Sequence, residues 1–326
     1  MKTLWKVSSL IMILAIVSGC SLFGGSAPAP DQTPESVVKE AMTNLSKVTS
    51  GKYELSLKGD GIGAPGATPE KISFDGLMNG LFDSQDPKKP QFTMDLEGEM
   101  TADEGEAQKI DIELRVDQSN FYVNLTQLPD FGEAAPKEML AMFTGKWWQI
   151  AIPEGALEGL PIGQTDEENM TPEQKALKEL TEKTNFFKDL AFEGSKKIDG
   201  VNCFHYVGVL DKEAMKTFVV EAGKIGGEEI PESEMGNLNS LFEALNAPID
   251  FWIDSKNMTM KKIETEVSIK PEGQGSFDMN FSFMVSDLNK EMKVEVPEGA
   301  TIFDPAMLFG GMDMAGLEEM EAVEAQ

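Results

Sequence analysis

The chain has one histidine, His205, and two cysteines, Cys20 and Cys203, so nucleophilic and metal chemistry have few footholds. Cys203 and His205 sit two apart in Asn202-Cys203-Phe204-His205-Tyr206. On a strand such residues share a face but lie about 7 Å apart, too far for a thiol–imidazole dyad. A two-histidine zinc site is impossible, and a lone imidazole acting as general base needs partners. His205 therefore reads as structural and Cys203 as a small buried apolar residue. There is no G-x-S-x-G nucleophile elbow and no G-x-x-x-x-G-K-S/T phosphate loop. The run Asp166-Glu167-Glu168-Asn169 offers carboxylates for Ca²⁺ but lacks the spacing and glycine of an EF-hand. Trp147-Trp148 could stack on a sugar, yet strand neighbours point to opposite faces, leaving one indole for any one site. No catalytic residue, metal or cofactor is expected, and the chain does not read as an enzyme.

Charge narrows the classes further. The 326 residues carry a net charge of −28, with pI near 4.3. No basic surface is available to neutralise phosphates, which argues against nucleic acid. The same balance argues against docking on anionic lipid by charge. With 41% hydrophobic and 26% charged residues the chain is globular and can bury a sizeable core.

The N-terminus supplies another route to a membrane. Lys2 and Lys6 precede an apolar run from Leu10 to Val17, then Ser18-Gly19-Cys20. Charged, apolar, small is the order of a secretory signal. The run is too short to span a bilayer, which takes roughly 20 residues. Val17-Ser18-Gly19-Cys20 resembles the lipobox of bacterial lipoproteins. That resemblance implies cleavage after residue 19 and acylation of Cys20 by chains such as palmitate. It also implies an extracytoplasmic protein on the cell membrane or outer membrane. Several chains at about 0.8 kcal/mol per buried methylene hold durably. Losing residues 1–19 removes two lysines and no acid, moving the charge from −28 to −30. Cys203 is then left alone, so no intramolecular disulfide forms.

Residues 20–33 are rich in Gly, Ser, Ala and Pro and read as a flexible tether. Thr33-Pro34-Glu35 starts a helix with an apolar stripe from Val37 to Val48, ended by Ser50-Gly51. From Lys52 the period falls to two. Tyr53-Leu55-Leu57, Ile72–Met78, Phe92–Leu96, Ile110–Val116, Phe121–Leu125 and Trp147–Ile150 alternate with polar residues, as antiparallel strands do. Asp60-Gly61-Ile62-Gly63 and Asp86–Pro90 read as breaks. Thr171-Pro172-Glu173 opens a second helix with Ala176, Leu177, Leu180 and Phe187 in its stripe. Helices follow at Lys212–Ala222 and Glu232–Leu245, and Gly223–Gly236 is a candidate lid. Strands are expected at Val201–Leu210, Ile249–Ile253, Ile263–Ile269 and Phe277–Val285, with Val294 and Val296 opening the last. Residues 304–326 form an acidic, Met-rich tail, a possible site for a protein partner.

About 10–11 strands on one alternation give an α+β fold: a large curled antiparallel sheet, because strand twist forbids a flat one. Phe74, Met78, Phe92, Met94, Leu114, Phe121, Phe281 and Phe283 would line its apolar side. Met and Phe together suit an adaptable greasy pocket, and they equally suit a core packed against helices.

Three stretches carry a family resemblance. They are Leu45–Leu55, Phe192–Asp211 with Asp199-Gly200-Val201 and His205-Tyr206, and Ile249-Asp250-Phe251-Trp252-Ile253-Asp254. Val294-Glu295-Val296-Pro297 adds a final strand. In this order the chain resembles the LolA-like superfamily, in its LppX/LprG branch of membrane-anchored lipoproteins. The resemblance implies one domain over 34–303, a half-barrel whose concave side is covered by helices around an apolar cavity. It also implies a carrier for an acyl chain or similar ligand. The insert around Pro161–Met170 and the tail depart from that pattern. The alternative is a non-catalytic surface lipoprotein with a filled core, acting as a structural or protein-interaction module.

Overall fold

The computed structural model describes residues 32–303 except 64–70, 87–88, 104, 118–119, 130–140, 153–169, 228–230, 232–235, 237–241, 243–246 and 270–274. The signal segment 1–19, tether residues 20–31, the Asp166–Asn169 run and the tail 304–326 lie outside the described residues. So do most of the 232–245 helix and half of the candidate lid, residues 228–230 and 232–235.

Helix α1 spans Pro34–Leu45 and starts as expected: Thr33 caps it by accepting from Ser36 N–H, Pro34 leads, and Glu35 meets the positive helix end. Val37, Val38 and Ala41 form its buried stripe. The helix stops short of Val48. Ser46 closes it, and Ser50–Gly51 opens the first strand rather than ending the helix.

Twelve strands follow among the described residues, two or one more than the alternation suggested. They are β1 (Ser50–Ile62), β2 (Lys71–Asp83), β3 (Gln91–Ala102), β4 (Gln108–Asp117), β5 (Asn120–Gln127) and β6 (Trp147–Ala151), then β7 (Phe187–Ile198), β8 (Val201–Leu210), β9 (Pro248–Asp254), β10 (Thr259–Ile269), β11 (Ser276–Ser286) and β12 (Thr301–Ile302). Helix α2 (Pro172–Lys183) precedes β7, and α3 (Lys212–Ile225) follows β8. One sheet holds every strand in the order β12-β6-β5-β4-β3-β2-β1-β11-β10-β9-β8-β7. Neighbours are antiparallel except β12 and β6. The result is the expected α+β fold, an open curled half-barrel.

Several details depart from expectation. Phe187 belongs to β7, not to the α2 stripe, because Thr184 already ends that helix. Asp60-Gly61-Ile62 is strand, not a break: Gly61 pairs with Ile72 and Phe277, whose side chains occupy the space a Cβ would need. Val294 and Val296 form no strand. Nearby amides bond to side chains instead of a ladder, Met292 N–H to Asp83 and Val294 N–H to Gln91 Oε1. The last strand is the two-residue β12.

Register sorts the side chains by face, since directly opposed residues point the same way. Leu55 faces Met78 and Phe283. Met78 faces Leu96, then Ile112 and Leu125; Phe283 faces Ile263, Phe251, Tyr206 and Phe192. One apolar row thus crosses ten strands. Helix α1 lies on this face against β7, β9 and β10, where Val37, Val38 and Ala41 join Tyr206, Phe251, Ile253, Met258 and Met260 in a closed core. Asn44 Nδ2 donates to Met258 O at 2.7 Å and fastens the end of α1 to the β9–β10 turn. Helices α2 and α3 pack on each other around Phe186, Met215, Phe218 and Phe242.

Candidate functional site

Every residue proposed to line the apolar side falls on the face just described. Phe74 opposes Gly59 and Met100; Met94 and Leu114 share the Tyr53 row; Phe92 and Phe121 share the Val116 row; Phe281 opposes Leu57. Met78 and Phe283 flank Leu55. All eight are half-buried, whereas Phe251 and Ile253 under α1 are 0% exposed. No buried core cluster forms over β2–β5 among the described residues.

Tyr53 and Trp148 belong to the same face, which aromatic and Met content alone did not pick out. Tyr53 stacks on Phe92 at 5.8 Å and reaches over Gly80 to donate to Thr93 O at 2.8 Å. A Cβ on Gly80 would lie 2.7 Å from that hydroxyl, so the glycine makes the crossing possible. Burial, reinforced by the Asp95 carboxylate, pushes the Tyr53 phenol well above its usual range, and it stays a neutral donor. Trp148, 4% exposed, meets Phe143 and Phe303 at the β6–β12 edge, and Lys146 Nζ stands 4.2 Å from its ring centroid.

Glycines on this face are mostly covered. Phe74 lies over Gly59, Ile110 over Gly98 and Tyr53 over Gly80. Gly76 differs: the described atoms nearest an added Cβ are backbone oxygens at 3.7 and 3.9 Å. A Cβ there would meet no side chain among the described residues within 4 Å.

The opposite face is polar. Arg115, the one arginine in the chain, pairs with Asp95 and with Glu113 Oε2 at 3.2 Å, and lies 5.4 Å from the Trp147 ring. Trp147 and Trp148 therefore do point to opposite faces. His205 also lies on the polar side. Its Nε2 contacts Asp250 Oδ1 at 2.5 Å, and its ring stacks on Trp252 at 3.8 Å with 6° between planes. Asp250 is 45 residues away in sequence, so local spacing gave no sign of it. Cys203 is fully buried, and burial pushes its thiol up to about 11, with Asp254 adding to the shift. Among the described residues no group of three or more His, Cys, Asp or Glu could hold a metal ion.

Chemically, this arrangement offers burial rather than bond making. A curled antiparallel sheet with one apolar face, part closed by a helix and part half-covered, defines the structural class. Similar solved structures include LprF from Mycobacterium bovis, at 10% identity and a TM-score of 0.35, covering 83% of this chain and 99% of that one. The Mycobacterium tuberculosis lipoprotein LppX is similar at 13% identity and a TM-score of 0.31, covering 81% and 100%. The Pseudomonas aeruginosa MucA/MucB complex follows at 7%, 0.30, 81% and 61%. These scores lie below 0.5, so the fold rests on strand order and register instead. No protein-family model matches the sequence, and no curated protein matches it. No helix among the described residues is long and apolar enough to cross a membrane.

Proposed function

We propose that this chain is a lipid-anchored extracytoplasmic protein that holds an acyl chain or similar apolar ligand against the β1–β6 part of its apolar face. The observation that carries this reading is the set of eight half-buried Phe, Met and Leu side chains on one face, beside a region of the same face that α1 closes. Binding would draw on apolar area removed from water, at about 25 cal/mol per Å², without covalent chemistry. Phe74, Met78, Phe92, Met94, Leu114, Phe121, Phe281 and Phe283 form the wall, and Tyr53 with its bond to Thr93 O fixes one side of it. Acylated Cys20 would hold the protein on the membrane through the tether, consistent with the lipobox-like Val17–Cys20.

The test is titration with cis-parinaric acid, whose fluorescence rises in apolar surroundings. Saturable uptake by the native sequence is expected, with at least tenfold weaker uptake by M94E, a charge placed in the wall. Uptake unchanged in M94E, with the fold intact by circular dichroism, would remove this face from the reading.

A further inference from the structure

The half-buried apolar face extends to Phe303, the last described residue, at one edge of the sheet. β12 runs parallel to β6, with Thr301 beside Trp148 and Ile302 beside Gln149. Alternation returns Phe303 to the Trp148 side, which is the apolar face, and its N–H donates to Gln149 O at 2.8 Å. The Phe303 ring meets Trp148 edge-on at 5.8 Å and Phe143 at 6.3 Å. The last described residue therefore sets its ring on that face, two strands from Phe121.

The sequence that follows divides in two. Residues 304–317 carry Met307, Leu308, Phe309, Met312, Met314 and Leu317 against only two charges, Asp304 and Asp313. Residues 318–326 carry Glu318, Glu319, Glu321 and Glu324 and no cation. The first part suits an apolar surface; the second pays too much in desolvation to enter one.

We propose that segment 304–317 lies back across the apolar face of β2–β5 as a built-in occupant, which an apolar ligand must displace. This rests on the ligand-binding reading of that face and adds its regulation. Reach is sufficient. From β12 to β2 is five strand spacings, roughly 24 Å. Fourteen residues span roughly 46 Å extended, past β2; as a helix they span roughly 21 Å and end over β3, within the face. Methionine, unbranched and polarizable, fills an irregular surface that must also accept a ligand. A covalently attached segment also acts at millimolar effective concentration. A second copy of the chain, at net charge −28, would instead be repelled. The acidic end 318–326 remains in water.

The test compares ¹³C-methyl methionine spectra of the protein with those of a variant ending at Phe303. Met78 and Met94 lie on the face; Met258 and Met260 lie in the α1 core. The expected result is displacement of the Met78 and Met94 methyl signals while Met258 and Met260 stay in place. Unchanged Met78 and Met94 signals would overturn the proposal. Should truncation perturb all four, the variant M307S/L308S/F309S decides by the same criterion. Parinaric acid should also bind the truncated protein at least threefold more tightly, since no occupant has to leave. Equal binding with unmoved methyl signals removes the occupant and keeps the ligand. Moved methyl signals with no uptake by either protein keep the occupant and remove the ligand.

Discussion

Over β8–β10 the apolar face carries Tyr206, Phe251, Ile253 and Met260 at 0–3% exposure, with Val37, Val38 and Ala41 of α1 pressed onto them. Over β2–β5 the same face carries Phe74, Met78, Phe92 and Leu114 half-buried, Met78 in the row of Phe251 and Tyr206. Strand chemistry does not explain the contrast, because one continuous row runs from Leu125 to Phe192 through both regions. What differs is the layer above the sheet. One region is a finished core. The other has the same greasy surface without an equivalent buried cluster among the described residues, and the proposed ligand is placed there for that reason.

The largest expected effect is a difference between matched truncations. Phe251→Ala should cost about 3–5 kcal/mol, the usual loss for a fully enclosed Phe. Phe121→Ala, on the half-buried side, should cost roughly half that or less, because less burial is lost. Urea denaturation of both variants measures it, and equal losses would erase the distinction between the two regions.

Glycine substitutions sharpen the same comparison. A Cβ on Gly80 would lie 2.0 Å from Thr93 O and 2.7 Å from the Tyr53 hydroxyl; on Gly208, under the closed region, it would lie 2.5 Å from Leu190 Cδ2. Both Gly→Ala changes should destabilise by roughly 1–3 kcal/mol, as overpacking does. Gly76→Ala should stay within roughly 0.5 kcal/mol, like a substitution into open space. Gly76→Leu should leave thermal stability nearly unchanged and weaken parinaric acid uptake at least fivefold. Unweakened uptake would move the ligand away from Gly76.

A pH experiment probes the other side of the same strands, where Cys203 is buried on the face that carries His205. With its thiol pushed up to about 11, Cys203 holds its proton more tightly folded than unfolded. Its contribution to stability is therefore complete below about pH 9 and is lost as pH rises towards 11. The urea midpoint should fall across that window and flatten in Cys203→Ala. Below pH 9 the thiol should resist alkylation in the folded protein.

The smallest effect is at the surface. Hydrogen bonds from Lys290 and Lys52 hold the Asp287 carboxyl down to about 2. That stabilisation is present above the ordinary carboxylate range and fades as pH falls towards 2. Asp287→Asn should change the urea midpoint at pH 7 only slightly, as exposed pairs do.

Much of the sheet was legible because period-two alternation survives wherever one face meets water. That pattern gave β1–β6 and β8–β11, and it put all eight wall residues on one side. β7 escaped the alternation because two register shifts break its parity, with Asp189 at φ 53° and Gly194 at φ 117°, on an exposed edge. β12 is too short to have a period. Non-local facts were invisible: Asp250 against His205, Tyr53 reaching Thr93 over Gly80, and the lack of a described side chain within 4 Å of a Cβ on Gly76. Each depends on register between strands, which composition does not record.

Native mass spectrometry with organic extraction, on protein lacking residues 1–20 made in a lipid-rich host, addresses the central claim most directly. A co-purifying species of lipid mass, lost in M94E, is the expected result. A clean apo mass, with no uptake of parinaric acid afterwards, would contradict it and leave a protein whose apolar face is filled from within.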